Sequence, residues 1–331
     1  MGNYKQKLLA AGILFLVVAL LGGWYWQKRR YNSRPLQIIL IQKAMDDTDF
    51  WTSVCEGGQM AARELGVELT VLGPEMESET QIQNQMILEA IEQKPDAIAL
   101  TPSSFEGTIP YAEQIEAAGI TLVLMDSVME KDMGESLIAT DNFEAGYKMG
   151  SYMKQFVDEN TVIGVVGHVK GTSTATERER GFREGIGEAQ EQIAEVVFCD
   201  SSSEKAYELT CSLLNTYPDM NMIVGLNEYS AVGAARAVKD MGLTGNCHMA
   251  GFDSSIEEIQ LLEEGVFDAI VIQKPFNMGY LGIETAVQAA RGKAVEAYVD
   301  SGSELITKEN MYTEENQKLL FPFFGNMKKG L

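Results

Sequence analysis

The run TVIGVVG (161–167) gives way within a few residues to GTSTATERERGF (171–182), and this junction decides the fold. The first segment is an uncharged apolar run of strand length, as in a strand buried on both faces. The second carries a helical repeat in which Ala175, Arg178, Phe182, Ile186 and Ala189 share one face. Thr174 and Glu177 fit a capping box, so the helix is expected to begin after Thr174. A buried strand feeding an amphipathic helix is the repeating unit of a parallel α/β sheet. Arg178 falls on the inward face, one turn from the amino end and beside the strand end. Arg180 points outward between Glu177 and Glu184, an ion pair worth only a few tenths of a kcal/mol.

Outward from this junction the same unit recurs. LQIILIQ (36–42), VELTVLG (67–73), DAIALT (96–101) and ITLVLMD (120–126) read as strands buried on both faces, with helical periodicity at 50–65, 78–93 and 106–118. After TVIGVVG come IAEVVFCD (193–200), MNMIVGLN (220–227), CHMAGFD (247–253) and FDAIVIQ (267–273), with helices near 174–190, 203–216, 228–241 and 255–264. Two such series mean two similar lobes with parallel sheets. Open parallel sheets bind ligands at the carboxyl ends of their strands. The residues at those ends are Gln42, Thr101, Asp126, Asn227, Asp253 and Gln273. Six hydrogen-bonding side chains at strand ends favour a polar ligand cleft.

The chain has 331 residues and 45% hydrophobic content, enough for two domains with real cores. Its formal net charge is −22, unevenly placed: six basic groups and no acid in residues 1–35 leave 20 of the 26 basic groups against all 48 acids, net −28, in 36–331. Such a body repels a phosphate backbone, and no nucleic-acid partner is expected. LLAAGILFLVVALLGGWYW (8–26) is 19 residues without a charge, with Trp24, Tyr25 and Trp26 at its end. With no A-x-A-like cleavage site, it reads as an uncleaved signal anchor, so that residues 1–35 form a transmembrane helix and linker. Flanking charge alone, through Lys28, Arg29, Arg30 and Arg34 after the helix, would slightly favour a cytoplasmic body.

DDTDFWTSVCEGG (46–58) follows the first strand and places adjacent Phe50 and Trp51 at the mouth of the cleft. One of the two rings can stack on a ligand's apolar face. The acid-rich DDTD lacks the spaced ligands of a calcium loop, and no metal or cofactor is expected. Cys55, Cys199, Cys211 and Cys247 show no metal-ligand spacing and read as free thiols. His248 lies inside a strand; for His168, at a strand end, ligand contact and packing are both open. No nucleophile elbow, P-loop or dinucleotide fingerprint appears, so the chain is not read as an enzyme.

In residues 36–310 the chain resembles the type I periplasmic sugar-binding proteins, the ribose-binding branch of ABC-transporter solute receptors. The resemblance rests on FW at 50–51, MD at 125–126, TDN at 140–142, GTSTATERERGF, YPD at 217–219, LNE at 226–228, GFD at 251–253 and IQKPFNMG at 272–279. It implies two Rossmann-like lobes joined by three crossovers near Thr140, Gln273 and Ser303. Residues 36–140 would form the first lobe and 141–273 the second, with 274–303 returning to the first and 304–331 to the second. Phe50 and Trp51 would grip a sugar ring, and Asp126, Arg178, Asn227, Asp253 and Gln273 would hold its hydroxyls. Ser127 stands where ribose receptors have an arginine, and Ser201 or Ser202 where they have a third aromatic. Ribose itself therefore fits less well than another neutral sugar or polyol. The resemblance also implies an extracytoplasmic body acting as a monomer beside an ABC permease; the other reading of the same pocket is a receptor signalling to a membrane kinase or chemotaxis protein. LacI-type repressors share the lobes, but here the anchor stands where their DNA-binding helices would be.

Overall fold

Every strand-length apolar run in the sequence becomes a strand, and the strands sort into two sheets. The computed structural model describes residues 34–46 and 48–321. The first sheet contains β1 (Gln37–Ile41), β2 (Glu68–Leu72), β3 (Ala97–Leu100), β4 (Thr121–Met125), β5 (Leu137–Ala139) and β11 (Tyr298–Asp300). They lie in the order β11-β5-β4-β3-β1-β2, with every pairing parallel. The second contains β6 (Ile163–Gly167), β7 (Ile193–Phe198), β8 (Met222–Gly225), β9 (His248–Phe252), β10 (Ala269–Gln273) and β12 (Ser303–Thr307). Its order is β12-β10-β9-β8-β6-β7, and β12 alone runs antiparallel.

Each sheet is covered on both faces, which is why its central strands have no polar side to show. Leu40, Ala99 and Val123 face one apolar cluster of the first sheet, and Ile39, Ile98 and Leu124 face the other. The second sheet divides in the same way, with Ile223 and Ile270 on one face and Val165 and Val224 on the other. Each fully buried side chain of this kind contributes about 1.5–3 kcal/mol. The edge strands β2 and β7 depart from the sequence expectation: several of their side chains are half-buried or exposed, because an edge strand has a neighbour on one side only.

The chain passes between the sheets three times, at 139–142, 273–275 and 300–303. After β5 the helix Asn142–Met153 packs in the second lobe, and after β10 the helix Pro275–Ala290 returns to cover the first sheet. At the crossovers Thr140 Oγ1 donates to Gln273 Oε1 at 2.8 Å and lies 3.2 Å from Ser301 Oγ.

The helix after β6 starts earlier than its sequence suggests. It spans Ser173–Ile186, and Thr172, not Thr174, is the cap, its hydroxyl accepting from Ala175 N. Gly171, at φ +83°, lets the chain turn one residue before Thr172, which frees Thr174 to face His168. The helical phase is unaffected, and Ala175, Arg178, Phe182 and Ile186 are all buried. The apolar run 8–26 lies outside the described residues; among the described residues no helix is long and apolar enough to cross a membrane.

Candidate functional site

Strand-end side chains of both sheets line one chamber between the lobes. Lys43 and Asp126 follow β1 and β4 on the first sheet; His168, Asn227 and Asp253 follow β6, β8 and β9 on the second. Phe50 and Trp51 enter from the first turn of the helix Asp49–Leu65, and Arg178 from the helix Ser173–Ile186. With Gln273, which ends β10, all seven residues singled out from the sequence meet in this chamber. Gln42 and Thr101 do not: their carbonyls both accept from Gln83 Nε2, which ties the two strand ends together.

The two lobes aim an aspartate at the chamber by the same device. Asp126 and Asp253 each stand one residue past the fourth strand of their sheet, with φ 62° and 83°. Left-handed backbone at a non-glycine residue costs about 1–3 kcal/mol and marks functional sites when it recurs. Asp126 Oδ2 accepts from Lys43 Nζ at 2.6 Å and from Ser127 Oγ at 2.8 Å. Asp253 Oδ1 accepts from Gln273 Nε2 at 2.7 Å, and its Oδ2 from Glu228 N at 3.0 Å. Gln273 thereby links the chamber to the Thr140 crossover.

Arg178 is the buried arginine and Arg180 the exposed one. Arg178 Nε donates to Asn142 Oδ1 and Nη1 to the Leu226 carbonyl, both at 2.8 Å, and its guanidinium lies 4.0 Å over the Phe252 ring. Arg180 pairs with Glu177 at the surface. Asn227 caps the helix Glu228–Asp240, its Oδ1 accepting from Ser230 N. That leaves its NH₂ group as the end able to serve a ligand. Phe50 and Trp51 meet edge to face at 4.9 Å, and the indole Nε1 donates to Glu77 Oε1 at 2.9 Å.

Several chamber residues were not singled out from the sequence. Lys43, Glu77, Thr174, Glu228 and Tyr229 all line it. The charge balance therefore differs from two aspartates facing one arginine: Lys43 is a second cation, and Glu77 and Glu228 add carboxyls. Burial pushes the Asp126 carboxyl up, but Lys43, Arg178 and Ser127 outweigh it and hold the group below the usual carboxylate range. Burial prevails at Asp253 despite Arg178 and Gln273, and at Glu77 despite Lys43, so both are raised. Burial, then Asp253, Asp49 and Asp46, push Glu228 up to about 8. His168 is held well below its ordinary value by burial and by the Arg178 and Lys43 charges, so its ring is neutral. Its Nε2 meets Thr174 Oγ1 at 2.8 Å.

The chamber is shut by contacts that span the two lobes. Ser201 Oγ donates to Glu77 Oε2 at 2.6 Å, and the Tyr229 hydroxyl donates to Asp46. Ile256 N donates to Asp49 Oδ2 and Val128 N to Ser173 Oγ, each at 3.1 Å. Asp46 and Asp49 thus serve as contacts between the lobes, and among the described residues no group of three metal-ligating side chains occurs. The cysteines are free thiols, as read from their spacing, with Cys199 and Cys247 buried.

Residues 38–294 match the model of the periplasmic binding protein domain. The D-ribose/D-allose-binding protein of Pseudomonas aeruginosa is 24% identical over 283 residues, 82% of this chain and 88% of that protein. The ribose import binding protein of Escherichia coli is 25% identical over 278 residues, covering 84% and 93%. Among solved structures, a sugar transporter from Clostridium phytofermentans is 43% identical with a TM-score of 0.79, covering 83% of this chain and all of that one. An ABC-transporter solute-binding protein from Agrobacterium vitis with bound D-fucose is 30% identical with a TM-score of 0.82, covering 86% and 99%.

Proposed function

Because the chain belongs to the periplasmic binding protein domain family, a family of binding proteins and not of enzymes, we propose that it captures a neutral sugar or related polyol between its lobes and delivers it to an ABC permease. One observation carries this reading. Hydrogen-bonding groups from both lobes converge with an aromatic pair on one chamber between the two sheets. A sugar presents hydroxyls around its rim and an apolar ring face, and the chamber offers partners for both. Asp126 and Lys43 come from the first lobe, Arg178, Asn227 and Asp253 from the second, and Gln273 from a crossover. Only a ligand that touches both lobes binds the closed form better than the open one, and that difference drives closure.

The carboxyls of Glu77, Asp126, Glu228 and Asp253 against Lys43 and Arg178 disfavour an anionic ligand, so aldoses fit better than sugar phosphates. The ligands of these relatives, which include ribose, allose and D-fucose, support the same class. The uncharged 8–26 run adds a membrane tether with the body outside the cell, which keeps the receptor at a high effective concentration near its permease.

The test is a thermal-shift screen of the full chain against D-ribose, D-allose, D-fucose and D-arabinose and their phosphates, followed by titration calorimetry. A bound sugar at 100 times its Kd stabilises the fold by about 2.7 kcal/mol. Stabilisation by a sugar phosphate but not by its parent sugar would overturn the reading.

A further inference from the structure

We propose that Glu77 and Ser201 form a latch at the open edge of the cleft, which couples the grip of Trp51 to closure of the lobes. Glu77 lies in the loop after β2, and Ser201 in the turn after β7. Both strands are the outermost of their sheets, at the opposite end from the strands that carry the crossovers. A contact at that end is farthest from the hinge, so opening separates it most. The Ser201 hydroxyl reaches Glu77 only when the cleft is shut.

The two oxygens of Glu77 divide the work. Oε1 accepts from the Trp51 indole within the first lobe at 2.9 Å, and Oε2 accepts from Ser201 of the second lobe at 2.6 Å. Both residues are buried, and so is the Trp51 ring. On the other side the backbone is turned to present the hydroxyl: Asp200 and Ser201 are consecutive non-glycine residues in left-handed conformation, each at φ 53°. Asp200 is anchored through its amide to the His168 carbonyl at 2.8 Å and through its carboxylate to Lys205. One carboxylate therefore fixes the aromatic side chain offered to the ligand and, at the same time, accepts a bond from the other lobe. Glu77 is a positioning residue, acting on a ligand through Trp51. Its effect on affinity rests on the sugar-binding reading above; the latch itself does not.

Replacing Trp24 and Trp26 by phenylalanine in the full chain leaves Trp51 as its one tryptophan. In that background Glu77→Ala is expected to red-shift Trp51 emission and to speed amide hydrogen exchange in both loops, 73–79 and 199–203. Ser201→Ala should speed exchange in both loops while leaving the emission maximum in place. Glu77→Gln should restore both signals, because its carbonyl can accept from the indole and the Ser201 hydroxyl can turn to accept from its NH₂. With D-ribose and D-allose as probes, Glu77→Ala and Ser201→Ala should each weaken binding about tenfold, and the double variant no more than the worse single one. Unchanged exchange in Ser201→Ala overturns the latch, as does failure of Glu77→Gln to restore the signals. A chain that binds neither sugar yet shows this exchange pattern upholds the latch and counts against the sugar reading alone.

Discussion

Arg178 makes contacts that a lysine could not make together: two directed hydrogen bonds and a planar stack on Phe252. Arg178→Ala should lower sugar affinity at least tenfold, about 1.4 kcal/mol. It leaves the Leu226 carbonyl and Asn142 short of a donor, and the chamber carboxyls without their guanidinium. Arg178→Lys should rescue little of this, whereas Arg180→Ala should change affinity less than twofold and stability by under about 0.5 kcal/mol. Calorimetry on the three variants checks the set; equal losses for Arg178→Ala and Arg180→Ala would contradict it. Arg178 was legible in the sequence because a helix has a period, and the period fixes which arginine turns inward. Asp126, Asn227 and Asp253 were legible because polar residues ended apolar runs. Lys43 and Glu77 were not: each lies in a loop, where no period says which way a side chain points. Glu77 lines the chamber held by partners distant in sequence, and nothing at position 77 announces Trp51 or Ser201.

The helices Asn142–Met153 and Ser173–Ile186 are packed closely enough to leave no room for side chains at the contact. A Cβ on Gly181 would come within 2.0 Å of the Phe143 carbonyl oxygen, and one on Gly146 within 2.2 Å of the Arg178 carbonyl oxygen. This approach of Asn142–Met153 to Ser173–Ile186 is what sets Asn142 beside Arg178. Gly181→Ala should therefore destabilise the fold by about 1–3 kcal/mol and weaken sugar binding as well, measured by denaturant unfolding and calorimetry. Helix ends matter as much as helix faces. Asp49, at the start of a helix in the first lobe, accepts from Ile256 N at the start of a helix in the second. Glu228 is pushed up to about 8 in the shut structure by burial and by Asp253, Asp49 and Asp46. Opening returns it toward an ordinary glutamate, so between about pH 4.5 and pH 8 the shut form holds more protons than the open form. Closure is favoured on the acid side of that window and loses this contribution as pH rises through it. Sugar affinity should fall between about pH 5 and pH 9, and Glu228→Gln should remove most of the slope. A wild-type affinity that rises over this range would contradict the assignment. Most strands and helices were legible as runs and periods. The three-residue strands β5 and β11 were not, being shorter than any pattern can mark; β12 and the helices Pro275–Ala290 and Glu314–Leu320 were not picked out either, and the helix Asn142–Met153 hides its face behind small glycines.

At the scale of the molecule, the proposed membrane tether rests on the uncharged run at 8–26. The chain is expected to keep residue 8 onward and to fractionate with membranes; a mature amino terminus between residues 20 and 36, with protein released to the medium, would refute this. The ordered series of strands and helices made two lobes legible, but the exchange of segments between them rested on resemblance, since periodicity says nothing about which sheet a strand joins. That exchange carries a consequence for the order in which the protein is made. β11 and the helix Pro275–Ala290, which complete the first lobe, are synthesised after almost all of the second. Met278, Ile283, Ala286 and Val287 of that helix cover Leu40, Ala99 and Val123 of the first sheet. A nascent chain that has emerged only as far as β10 therefore carries a first lobe with one greasy face only partly covered, by the helix Asp49–Leu65, a natural substrate for holding chaperones and one expected to fold last although it was translated first.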